Sequence, residues 1–156
     1  TFPPDGNYGH PDHIAVGQFT NAAIVCAADV SYQDSENLPA HRVSKLYYMV
    51  DGENFISLVE PFMSEMDFPI VDDQQRYQVV WKDWMITTRI EMAEHCHTAW
   101  RAIQCHQSQL PSLGSMAEMH PDAVASVLAM QGTFFRAFSL VNGGRNTETD
   151  LFEGLR

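Results

Sequence analysis

Apolar and polar positions alternate along the chain in blocks that predict most of its elements. Residues 1–10 hold Pro3, Pro4, Asp5, Gly6, Asn7 and Gly9, turn formers that predict a loop. Pro11 suits the first position of a helix, where its missing N–H is not needed, so His10 is the expected N-cap. The stretch PDHIAVGQFTNAAIVCAAD predicts a helix from 11 to about 29. It is apolar on most sides, with Gln18 and Asn21 on a narrow polar stripe, which predicts burial against a sheet. Residues 31–44 are polar and loop-like, and KLYYMV at 45–50 reads as a strand buried on both faces.

Residues 51–84 are mixed, and FMSEMDFPIVDDQQRY within them carries no clear period. WMITTRIEM at 84–92 is β-branched and strand-like. AEHCHTAWRAIQCHQSQL at 93–110 predicts a helix stopped by Pro111. PDAVASVLAMQG at 121–132 predicts another, from Pro121 to Gly132. TFFRAFSLVN at 133–142 predicts a strand ended by Gly143 and Gly144, and the tail TETDLFEGLR is acidic and apolar. Helices alternating with short apolar strands imply α/β layering. Three clear strands are few for a sheet covered on two faces, so part of the domain is expected outside this sequence.

Composition narrows the function. With 156 residues, 45% hydrophobic and 19% charged, the chain is long enough for one globular domain. A net charge of -11 repels phosphate backbones and anionic lipid, which argues against nucleic-acid and membrane partners. No apolar run reaches the roughly 18 residues of a membrane span, and no secretory leader pattern is visible. Three cysteines, Cys26, Cys96 and Cys105, are too few and odd in number for a disulfide framework and fit a reducing, cytoplasmic setting. The first residue is Thr1 rather than Met, so a processed, trimmed or partial chain is expected.

The candidate chemistry sits at the mouth of the first helix, in DGNYGHPDHIAV. His10 and His13 are three apart across a helix start and can approach one side of its first turn. Free N–H groups and the positive dipole end favour an anion there. A neutral imidazole is a good zinc ligand, and a charged one stabilises an oxyanion. Asp12 could orient a histidine, and Tyr8 could donate from the turn. A capping histidine with a solvated neighbour explains the same pair, and two histidines do not complete a zinc site, which takes about three protein ligands and a water.

DGNYGHPDHIAV resembles the second signature of the LmbE-like, PIG-L-type N-acetylglucosaminyl deacetylases. KLYYMV, WRAIQCHQSQ and TDLFEGLR resemble later segments of that family, so the likeness covers nearly the whole chain. The resemblance implies an α/β fold, a Rossmann-like three-layer sandwich, of which residues 1–156 would be the C-terminal part. The family's first signature, A-H-P-D-D-E, is absent; the other His-Pro-Asp, at His120, lacks the second aspartate and the glutamate and opens a different helix. The resemblance makes His13 a metal ligand, His10 the acid or electrostatic group at the reacting carbonyl, Asp12 the residue orienting His10, and Tyr8 a contact to the oxyanion. It implies metal-assisted hydrolysis of an N-acetyl (N-acyl) amino-sugar conjugate, with Zn2+ as cofactor and Fe2+ as the alternative. An N-terminal polypeptide would supply the remaining ligands, and a homo-oligomer is compatible. The rival reading is a non-catalytic structural or binding module that kept the fold and lost the first signature, or one chain of a two-chain enzyme.

Other motifs carry less. His95 and His106 are 11 residues apart on one expected helix, ~16 Å along its axis, too far to share an ion. Cys96 and Cys105 read as buried small hydrophobes. Ser108 and Gln109, with His106, read as packing, as does Trp100 on its amphipathic helix; Trp81 and Trp84 could line a sugar site but are more simply core.

Overall fold

The structure is a computed structural model that describes residues 1–33, 35–36, 38–63, 70–71, 73–144 and 146–156. It is mixed α/β. In order come a kinked turn α1 (Gly6–Gly9), helix α2 (Pro11–Ala28), strands β1 (Lys45–Met49) and β2 (Asp51–Gly52), and helix α3 (Glu53–Met63). Strands β3 (Ile70–Val71), β4 (Gln74–Gln75), β5 (Val80–Trp81) and β6 (Thr88–Arg89) follow, then helices α4 (Cys96–Gln104) and α5 (Pro121–Leu128) and strand β7 (Thr133–Ser139). Among the described residues the main sheet has the order β1-β7-β6, with β7 antiparallel to both neighbours. β2 and β5 form a parallel pair, and β3 and β4 an antiparallel one. The strong segments at 45–50 and 133–142 therefore do form strands, and they pair with each other.

Two layers of packing result. α3, α4 and α5 close over a core of Phe55, Val59, Cys96, Trp100, Val124, Val127 and Leu128. Trp100 belongs to this core, as its helix position implies. α2 lies against the other end of the sheet, and here the expectation of burial fails: of its residues only Gly17 is buried, while Val16, Phe19 and Val25 are exposed. The expected polar stripe is in part the contact face, since Tyr48 of β1 donates to Asn21 Oδ1 at 3.2 Å. No described element covers the opposite apolar side. β1 is likewise not buried on both faces; Leu46 is buried and Met49 exposed, because the strand is at the edge of the described sheet.

Three boundaries differ from expectation for local reasons. Residues 84–92 are mostly not a strand: Asp83–Met85 form a 3-10 turn and only Thr88–Arg89 pair. Glu53 draws this segment in, accepting from Lys82 Nζ at 2.8 Å and from the Asp83 backbone N–H at 3.1 Å. The helix expected over 93–110 runs only over Cys96–Gln104, and Pro111 begins a 3-10 segment, Leu110–Glu118, rather than stopping it. Cys105 is exposed, unlike Cys96. α5 ends at Leu128, four residues before Gly132, whose lack of a side chain lets the chain cross the Ile90 carbonyl on its way into β7. Part of FMSEMDFPIVDDQQRY, at 64–69 and 72, lies outside the described residues.

The tail is fixed by one buried carboxylate. Glu148 is 1% exposed and forms a parallel bridge to Thr88. Its Oε1 accepts from Lys45 at 2.8 Å, Arg136 at 2.9 Å and Asn142 at 2.5 Å. Its Oε2 accepts from Tyr47 at 2.8 Å and Thr88 at 2.9 Å. Burial opposes the charge, but the hydrogen bonds from Lys45, Asn142, Tyr47 and Thr88 outweigh it and hold the carboxyl at about 2. Lys45 and Arg136 are themselves buried, so the carboxylate is what makes their burial tolerable. Glu148→Gln should lower stability by about 3–5 kcal/mol in urea denaturation at pH 7 by leaving buried cations unpaired. The sign with pH follows from the lowered value: this contribution is present above 4.5, the ordinary value, and is lost as pH falls toward about 2. The difference between wild type and Glu148→Gln should therefore shrink over that window; a constant difference would contradict the assignment.

Candidate functional site

The site begins with a cap. His10 has extended backbone angles, Pro11 follows at N1, and the Asp12 backbone N–H donates to His10 Nδ1 at 3.2 Å. This fixes the ring chemically as well as sterically. Nδ1 accepts, so in the neutral ring the proton is on Nε2, and His10 presents an N–H donor at its outer edge. The same cap recurs at His120, where Asp122 N–H donates to Nδ1 at 3.3 Å. His-Pro-Asp is thus a capping device in its own right, and what sets position 10 apart is its surroundings.

Those surroundings are built by the turn before it. Gly6 and Gly9 have φ of +67° and +77°, and Asn7 has φ 66°. Asp5 holds the turn, accepting from the Asn7 N–H at 2.8 Å and from Trp81 Nε1 at 3.1 Å. At Gly6 a Cβ would stand 2.8 Å from Ile14 Cγ1 and 3.3 Å from His13 Cβ. Only a glycine lets the turn press so closely on the first turn of α2. The result is that the Gly6 carbonyl accepts from His13 Nδ1 at 3.1 Å. A carbonyl cannot donate, so His13 carries its proton on Nδ1 and its Nε2 keeps a lone pair. His10 and His13 are therefore set in opposite tautomers.

The rings converge. His10 and His13 centroids are 4.9 Å apart, and Tyr8 meets them edge-on at 5.8 and 5.1 Å. Phe2 stacks on His13 at 3.9 Å with an interplanar angle of 7°. Phe2 can lie there because Gly17 gives it room; a Cβ at 17 would stand 2.9 Å from the Phe2 carbonyl oxygen. Burial lowers the His13 pKa; the Gly6 hydrogen bond opposes this, nearby His10 adds to it and Asp12 opposes it. The ring is neutral at pH 7, the form a metal ligand needs. Burial pushes the Tyr8 hydroxyl up, so it stays a donor.

Tyr8, His10 and His13, expected together from sequence, are together. Asp12 contacts His10 through its backbone N–H, while its side chain is exposed and acts on His13 by charge. Among the described residues no three His, Cys, Asp or Glu side chains converge as a complete ligand set. Trp84 is 83% exposed, away from the described core. Trp81 contributes by holding Asp5 rather than by stacking in a site. Sequence reasoning missed Phe2, Gly6, Gly17 and Arg76. Arg76 lies over Gly9, where a Cβ would be 3.7 Å from its Nη1, and its Nε is buried with no partner among the described residues. The two glycines were visible as residues, but only the packing reveals what each admits.

No family model matches the chain. Curated proteins do. The chain is 28% identical to a 1D-myo-inositol 2-acetamido-2-deoxy-alpha-D-glucopyranoside deacetylase of Rhodococcus erythropolis over 99% of its length and 53% of that protein's. It is 27% identical to the protein of the same name from Geodermatophilus obscurus, and 30% identical to that from Streptomyces avermitilis, with the same coverages. The chain thus spans about half the length of the curated relatives it matches.

The tautomers are directly measurable. In long-range 15N–1H spectra above pH 8, His13 should show a protonated Nδ1 and bare Nε2, and His10 the reverse. Two histidines in the same tautomer would contradict the hydrogen bonds to Gly6 and Asp12. Gly6→Ala, forced to adopt φ +67° against Ile14, should destabilise the fold by about 1–3 kcal/mol and free the His13 tautomer in the same spectra.

Proposed function

We propose that this chain is part of a metal-dependent amide hydrolase that removes an N-acetyl or related N-acyl group from an amino-sugar conjugate. In this reading it supplies the second-signature half of a Rossmann-like three-layer α/β sandwich acting in the reducing cytoplasm. The observation that carries the reading is the opposite tautomers of adjacent histidines, one offering a lone pair and the other a proton. The relatives' names support the same class, since each acts as a deacetylase on an acetamido sugar conjugate.

The residues present fit one ligand position of a metal site. His13 would hold the ion through Nε2, with Nδ1 donated to a backbone carbonyl, the usual second contact of a ligating histidine. Zinc, or iron in its place, would supply Lewis-acid polarisation and an acidified water when bound. Beside it, His10 directs Nε2–H toward the acyl oxygen or the departing nitrogen and donates a hydrogen bond there. Tyr8, kept protonated, donates a second hydrogen bond to the same developing charge. Asp12 caps through its backbone, and its charge partly offsets the lowering of the His13 pKa by burial. Phe2 keeps the His13 ring plane fixed.

Because no complete ligand set converges among the described residues, a non-catalytic module is the competing reading, and the remaining ligands would come from outside this chain. Metal analysis of the full-length protein separates them. The hydrolase reading expects one zinc per protein, lost in large part in His13→Ala, with acetate released from 1D-myo-inositol 2-acetamido-2-deoxy-alpha-D-glucopyranoside. His10→Ala should keep the metal and lose about 10²–10³-fold in kcat, the usual weight of an oxyanion donor. Zinc content unchanged in His13→Ala would reject it.

A further inference from the structure

Between α3, α4 and α5 is a cavity of about 230 Å³ that the histidine site does not use; Tyr8, His10 and His13 are not among its lining residues. Its walls are apolar and include Phe55, Ile56, Trp100, Ile103, Val127 and Leu128. Its polar residues are Asn7, Asp51, Gln78 and Gln131. We propose that this cavity is a binding site for a small primary amine with a short apolar chain, the ammonium held by Asp51 and Asn7 and the chain lying along Phe55 and Trp100.

The polarity is what selects an amine. Gln78 donates its amide to Asp51 Oδ2, which leaves most of that carboxylate's acceptor capacity free. Asn7 Oδ1 is buried and has no hydrogen-bond partner among the described residues. Both groups accept, so a ligand that satisfies them must donate. Desolvation raises Asp51 to about 6, its bond to Gln78 opposes this, and the charge of Asp5 adds to it. The carboxylate is therefore ionised at pH 7.5, and a second negative charge is near enough to be felt. A carboxylate in the lining disfavours a carboxylate ligand and favours a cation, and the Trp100 and Phe55 rings are compatible with one. The volume sets the size. It is below the ~300–1,000 Å³ of pockets for drug-sized molecules, which points to a chain of about four to six carbons.

Titration calorimetry and amide chemical shifts at pH 7.5, with n-hexylammonium, n-hexanol and n-hexanoate as probes, test this. Hexylammonium should bind saturably at about 1 mM or tighter, with shifts centred on Phe55, Trp100 and Val127, and hexanoate should not. Asp51→Asn should weaken hexylammonium about tenfold while hexanol changes less than about twofold, since only the charge-assisted bond is removed. Asn7→Gly, which keeps the positive φ available, should weaken hexylammonium a few-fold. Equal binding of hexanoate, unchanged hexylammonium affinity in Asp51→Asn, or no saturable binding would overturn the proposal. The comparison of ammonium and carboxylate in wild type stands even where a variant fails to fold. Zinc content and acetate release play no part in any of these readouts, so this site and the hydrolase reading fail separately.

Discussion

The site depends on one close approach, the backbone at Gly6 against the first turn of α2. A residue with a Cβ would meet Ile14 before its carbonyl reached His13. The consequence is chemical rather than steric. Without that carbonyl His13 would choose its tautomer by solvation, and Nε2 would carry the proton much of the time. With it, the proton is held on the inner nitrogen and the outer one is left as a lone pair. The His10 cap does the opposite for its own ring by the same economy of one backbone hydrogen bond. Two identical side chains present opposite outer edges, a lone pair and an N–H, because one faces a carbonyl and the other an N–H.

The sheet carries this arrangement through charge as well as packing. An acidic chain with 20 acids and 9 Lys and Arg spends two of its cations inside, on Glu148. That cluster joins β1 through Lys45 and Tyr47, β7 through Arg136 and β6 through Thr88. β1 in turn meets α2 through Tyr48 and Asn21. The tail's carboxylate thus fixes the strand against which α2 lies. Replacing it with an apolar residue of similar volume would ask two buried cations to find new partners, which is why a network of this kind is costly to change piecemeal.

The legible parts of the sequence were those where a residue's covalent structure decides the outcome. Pro11 and Pro121 mark helix starts because a proline lacks the N–H that the first turn does not need, and α2 and α5 begin there. The cap at His10 followed from the same logic. The segments that misled were decided by distant partners. WMITTRIEM has strand chemistry, yet Glu53, 30 residues before Asp83, closes its start into a 3-10 turn. The apolar sides of α2 were readable, but burial requires something to pack against, and no described element supplies it. Glu148 looked like one more acid in a polar tail, because nothing local shows that Lys45 and Arg136 will converge on it. Gly17 and Phe2 have the same character: each is ordinary alone, and together they place a ring on His13.

Asn7 belongs both to the turn that builds the histidine cluster and to the lining of the cavity. Its φ of 66° with ψ of -54° is the strained γ-turn conformation, not the left-handed helical one that asparagine favours. Its carbonyl accepts from Val79 N–H at 2.5 Å, tying the turn to the segment that leads into β5. Asn7 is among the residues lining the cavity, while the preceding residue's carbonyl accepts from His13. A glycine here would satisfy the backbone as well, so conformation alone does not require the amide. The amide's oxygen is buried without a partner among the described residues, a cost on the order of 1–3 kcal/mol unless something donates to it. Position 7 brings an amide to the cavity lining, and its neighbours Gly6 and Tyr8 bring a carbonyl and a ring to the histidines.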